Sequence, residues 1–143
     1  AMRLDPKDPA AYAHRGLALA RLRRFDLAIA DYREAIRLAP EDPWAANGLA
    51  WLLATCPVAA HRDGAQAVAL ATRAKDLSGG IAPLILGTLA AAEAEAGHFD
   101  EAVRWQSKAL ELFPAADPDL GAHRDRLALY RSKMPYREGP AEP

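Results

Sequence analysis

The feature that most constrains this chain is its return to the same pattern at a fixed interval. Leu4, Asp5, Pro6, Lys7, Asp8, Pro9 come back 34 residues later as Leu38, Ala39, Pro40, Glu41, Asp42, Pro43, and Leu112, Phe113, Pro114 repeat the ending a third time. Between the outer copies the offset is 74: Tyr12 aligns with Leu86, Phe25 with Phe99, Asp26 with Asp100, Ala28 with Ala102, Ala35 with Ala109 and Pro40 with Pro114. That is two periods of 34 and six further residues. A period of this size marks a supersecondary unit that cannot bury its apolar face alone, so successive units stack into an array.

Proline and glycine punctuation, combined with apolar residues three to four apart, predicts seven helices over 9–22, 25–38, 43–55, 63–77, 82–96, 99–112 and 117–133. Pro9, Pro43 and Pro83 suit first helical positions, where a missing N–H costs nothing. Asp26 and Asp100 fall in first turns, where a carboxylate opposes the helix dipole. In the last helix Leu120, Leu127, Tyr130 and Met134 form one apolar stripe, leaving Arg124, Asp125, Arg126 and Arg131 for water. A terminal helix with one greasy and one wet side is what closes a stacked array.

The repeated units resemble the tetratricopeptide repeat. The first copy carries the pattern as Tyr12, Gly16, Leu19, Ala28, Tyr32, Ala35 and Pro40. The third carries it as Leu86, Leu89, Ala90, Ala102, Ala109 and Pro114, with Glu93 and Gln106 in place of apolar fillers, which predicts looser, wetter packing there. The middle copy begins at Pro43 with Leu49, Ala50 and Leu53 and resumes at Ala67, Ala71 and Ala74 after an insertion. The stretches Asn47 to Pro57, Leu89 to Ala92 and Leu129 to Glu138 are similar to C-terminal arrays of bacterial tetratricopeptide proteins.

The resemblance implies an all-α fold, a right-handed α-solenoid of three helix pairs plus a C-terminal capping helix. One domain spans 1–143, with repeats at about 9–42, 43–82 (insertion near 55–63) and 83–116, a capping helix at 117–133 and a tail at 134–143. It also implies a protein-interaction scaffold rather than an enzyme, receiving a peptide or helix on a concave face lined by the first helix of each pair. Repeat phasing lines that groove with His14, Leu17 and Arg21, beside Ala10 and Ala13. The second repeat adds Trp44, Asn47 and Trp51, beside Thr55, and the third Leu84, Thr88 and Glu95, beside Ala91. Trp44 and Trp51 are two helical turns apart and share a face. Tryptophan suits a binding hot spot, although at helical spacing it also suits core packing. The alternative is a structural or oligomerisation segment of a larger protein, with the groove empty or filled by its own tail. Relatives that clamp the carboxylate of a chaperone peptide need cations where this chain has Ala13, Leu84 and Thr88, and Asn47 is one residue out of phase.

Little else in the residues points to chemistry. Phosphate loops, zinc-helix motifs, paired cysteines and nucleophile elbows are lacking, and His14, His61, His98 and His123 have no second ligand at helical spacing, so neither metal nor cofactor is expected. Cys56, the only cysteine, stands before Pro57 in the insertion without a neighbouring base and is expected to be inert. The 18 basic and 19 acidic residues are dispersed, giving net charge -1 and no face for nucleic acid. Arg21, Arg23 and Arg24 cluster at the first turn, where a solvated turn is preferred over an acidic partner's docking site. Arg23 stands where the third copy has Gly97, which predicts slight strain. Gly79 and Gly80 read as a hinge. No apolar run or leader pattern calls for a membrane, and the cytoplasm is the default expectation.

The opening from Leu4 to Pro9 reads as the end of a preceding repeat, with Ala1 and Met2 as a cloning remnant, so a fragment of a longer array is expected. An uncovered flank around Ala11, Ala18 and Leu22 would then favour weak self-association through the N-terminal end. Arg15, standing where the other copies have Leu49 and Leu89, argues for a flank suited to water.

Overall fold

A computed structural model describes residues 7–139. They form α1 (Pro9–Arg21), α2 (Phe25–Leu38), α3 (Pro43–Thr55), α4 (Gly64–Leu77), α5 (Pro83–Glu95), α6 (Phe99–Leu112) and α7 (Leu120–Arg131), with a short 3-10 turn at Ala59–His61. Among the described residues there is no strand.

The repeated Asp-Pro pairs explain the repeated starts. The Asp8 carboxylate accepts the Ala10 N–H at 3.0 Å, and Asp42 accepts the Trp44 N–H at 2.9 Å. Each caps a helix whose first residue is a proline. Asp63 accepts from the Gln66 N–H at 3.0 Å and opens α4 in the same way.

Helix ends repeat a second device. Arg23 (φ 63), Gly79 (φ 85), Gly97 (φ 87) and Lys133 (φ 59) lie in the left-handed region. In each case the next residue's N–H reaches a carbonyl five residues back: Arg24 to Leu19 at 2.9 Å, Gly80 to Lys75 at 2.9 Å, His98 to Glu93 at 2.8 Å and Met134 to Leu129 at 3.0 Å. The Arg23 turn therefore has the geometry of its glycine counterpart, without the glycine.

Helices pack as the pairs α1/α2, α3/α4 and α5/α6, α3 lies on α5, and α7 packs on α6 much as α5 packs on α4. Such close approach requires small residues, and Ala28, Ala35, Ala67, Ala71, Ala74, Ala102 and Ala109 are all fully buried. Tyr32 fills the space between the first two pairs: a Cβ at Gly48 would stand 2.5 Å from its ring, and one at Gly16 would stand 3.3 Å away. The main core joins Tyr32, Leu49, Leu53 and Leu89 across α2, α3 and α5.

The insertion is tied down. The Asp63 N–H donates to the Leu53 carbonyl at 2.9 Å, and Arg62 Nη1 donates to the Cys56 carbonyl at 2.7 Å. Cys56 is buried, which pushes its thiol pKa up and suits an unreactive side chain.

Several expectations need correcting. The last helix begins at Leu120, because the Asp117 carboxylate takes the Asp119 N–H at 2.7 Å and holds 117–119 in a turn. Met134 lies beyond the helix and is exposed, so it leaves the apolar stripe. Glu93 and Gln106 are packed in rather than loosening the third repeat: Gln106 is 1% exposed and its Nε2 donates to the His123 carbonyl at 2.8 Å, tethering α7, while buried Glu93 meets His98 at 3.3 Å. Ala1, Met2 and the repeat ending at Leu4, Asp5 and Pro6 lie outside the described residues.

Candidate functional site

The first helices α1, α3 and α5, with α7, border two adjoining hollows. One, about 520 Å³, is walled by Leu17 and Arg21 of α1, Trp51 and Thr55 of α3, Pro57, Glu138 and Gly139. The other, about 500 Å³, is walled by Asn47 and Trp51, by Leu84, Gly87 and Thr88 of α5, by Phe113, and by Asp119, His123 and Arg126 around α7. Arg21, Trp51 and Glu138 border both.

Leu17, Arg21, Asn47, Trp51, Leu84 and Thr88 are thus brought together on one face. Thr88 is buried, its hydroxyl donating to the Leu84 carbonyl at 3.1 Å, whereas Leu84 is 56% exposed. His14 is exposed and borders neither hollow. Trp44 also borders neither, although it is 52% exposed. Ala91, placed on the lining by repeat phasing, is fully buried instead. Glu95 is engaged by cations, with Arg62 at 3.5 Å and Arg137 at 2.9 Å.

Trp51 divides its surface between two neighbourhoods. One edge packs on the main core. Another part faces the segment that follows α7, beyond the left-handed Lys133. The Trp51 Nε1–H donates to Glu138 Oε1 at 2.9 Å, and the Trp51 and Tyr136 rings lie 5.8 Å apart. The Arg126 guanidinium stands over both rings, 5.2 Å from Trp51 and 4.6 Å from Tyr136. Arg126 was expected to face water; the two aromatic rings it lies over hold it inward instead. The Glu138 N–H donates to the Thr55 carbonyl at 2.7 Å, a helix C-terminal acceptor otherwise short of a partner.

His123 is buried at the mouth of the second hollow, stacked on Phe113 at 4.0 Å. Burial lowers its pKa, and the neighbouring Arg126 charge, whose Nη1 is 3.0 Å from His123 Nδ1, lowers it further. The neutral ring with Nδ1 unprotonated accepts that hydrogen bond. Two buried polar atoms here have no hydrogen-bond partner among the described residues, the acceptor Asn47 Oδ1 and the donor Arg126 Nε.

Phasing by the repeat could not find Arg126, His123, Tyr136 or Glu138, because α7 and the segment after it lie outside the three units. The available signal was Tyr136 behind Pro135, an aromatic residue in a polar ending. No group of three or more histidine, cysteine, aspartate or glutamate side chains suited to a metal occurs among the described residues, and none of their helices is long and apolar enough to cross a membrane.

A family model described as the tetratricopeptide repeat matches residues 9–42, the stretch that holds α1 and α2. No curated protein matches the chain significantly.

Proposed function

Taking the chain as a tetratricopeptide repeat protein, we propose that it binds a peptide from another protein on the face made by α1, α3 and α5, with Trp51 at the centre. Repeats of this family are generally protein-interaction modules and typically non-catalytic scaffolds. The observation that carries the reading is the pair of hollows meeting at Trp51 and Arg21, with apolar walls at Leu17 and Leu84. Leu17 and Leu84 would supply burial, and the indole both area and a donor.

The structural alternative has one observation in its favour, the segment at 136–139 that already covers part of Trp51. The two readings separate in a selection of displayed random peptides on the full chain and on a Tyr136→Ala/Glu138→Ala variant. Enrichment of a common motif, reduced on the order of 30-fold by Trp51→Ala (about 2 kcal/mol) and little changed by Trp44→Ala, supports peptide binding. Failure of both proteins to enrich any motif overturns it. Because Trp51 also packs on the core, far-UV dichroism and a melting curve accompany each variant.

A further inference from the structure

We infer that residues 136–138 are an internal ligand of this groove, and that the partner it accepts is a peptide carrying an aromatic residue two places before a carboxylate, which must displace them. The inference rests on the peptide-binding reading above and adds the chemistry of the partner and a gate.

The segment makes the kinds of contact a bound peptide makes. Tyr136 stacks with the Arg126 guanidinium against Trp51 and packs toward buried Tyr130 and Ala94. Glu138 takes the indole N–H with one carboxylate oxygen and the Tyr136 hydroxyl, at 3.2 Å, with the other. Its backbone N–H satisfies the Thr55 carbonyl. Arg137, between them, points to Glu95. Aromatic, cation and carboxylate thus each meet a partner of matching chemistry, and a main-chain bond fixes the register. The Glu138 carboxylate takes its side-chain bonds from two neutral donors, the Trp51 indole and the Tyr136 hydroxyl, while Arg21 and Arg126 stand on the walls of the hollows it borders.

Occupation in cis reduces affinity for anything offered in trans. A segment joined by a few residues to a docked helix works at an effective concentration on the order of 1 mM. If its own dissociation constant is about 0.1 mM, the groove is free roughly a tenth of the time, and apparent affinity for a competing peptide falls about tenfold.

The test uses the full chain and a fluorescein-labelled peptide with the sequence of residues 134–139, followed by anisotropy. Binding to the Tyr136→Ala/Glu138→Ala variant is expected to be about tenfold tighter than to the unaltered chain. It should weaken about tenfold when the peptide's glutamate is replaced by glutamine or when Trp51→Phe removes the indole donor. Both substituted positions of the gate variant lie outside the helices, and a matching far-UV spectrum keeps the comparison valid. Equal binding to both proteins overturns the gate, and no binding to the variant overturns the internal ligand altogether. Displayed peptides that depend on Trp51 but lack the aromatic and acidic pair would leave peptide binding standing while removing this inference.

Discussion

Arg15 grips Asp31 with two nitrogens, Nε at 2.6 Å and Nη2 at 2.8 Å, joining α1 to α2 through a side chain half exposed to one almost fully covered. At the equivalent places the second repeat has Leu49 and Leu70, and the third Leu89 and Trp105. An ion pair thus replaces an apolar pair in the first repeat alone.

Arg15→Leu should therefore cost about 2 kcal/mol in urea denaturation, because the Asp31 carboxylate stays covered without its cation. The double variant Arg15→Leu/Asp31→Leu should regain most of that loss. It also extends the apolar surface beside exposed Leu22, so sedimentation at rising concentration should show association in the double variant and none through this flank in the unaltered chain. Association of the unaltered chain that Arg15 substitutions leave unchanged would contradict the assignment.

Glycine substitutions should separate by location. Gly48→Ala drives a methyl into the Tyr32 ring and is expected to cost about 2 kcal/mol. At Gly121, an exposed position in the first turn of α7, an added Cβ meets nothing within 4 Å, so Gly121→Ala should gain about 0.5–1 kcal/mol. Equal effects at the two positions would mean that Tyr32 does not fill the space between the first two pairs.

The Arg23 turn offers a direct measure of backbone strain. Arg23→Gly and Arg23→Ala both remove the guanidinium that lies 5.7 Å from the Phe25 ring, so their difference isolates φ 63. The glycine variant should be more stable than the alanine variant by about 1 kcal/mol, read from thermal or urea midpoints.

His123 should make the chain acid-sensitive. Its pKa is lower in the folded chain than the ordinary value of 6.5, so the unfolded chain binds more protons in the interval between them. Stability is full above pH 6.5 and declines as pH falls below it, until the folded-state value is passed. Paired denaturation curves at pH 7.5 and 5.5 should show the decline in the unaltered chain and a smaller one in His123→Gln; parallel losses would assign it elsewhere.

What the sequence revealed is what neighbouring residues decide. Asp8 before Pro9 and Asp42 before Pro43 carry their own capping chemistry, and the alanines at the repeat spacing announce close helix contacts. Helix starts and the stacked arrangement were legible for that reason. Gln106 was misjudged because its amide finds the His123 carbonyl on the next helix, a partner that helical periodicity does not name. Arg126 was misjudged for a related reason: its place on α7 looks solvent-facing until Tyr136 and Trp51 arrive from other parts of the chain. Trp51 and Glu138 stand 87 positions apart, and no period links them.

That separation also sets an order of events. Substantial helix packing in the array joins only helices one or two places apart along the chain, so it can build up progressively from neighbour to neighbour. The bond from Trp51 to Glu138 has no such local route, since it waits for α7 to dock on α6 and for the segment beyond Lys133 to meet Trp51. On this topology it is expected to form after the helices have stacked and to be lost when α7 frays, so that the groove is covered late in assembly.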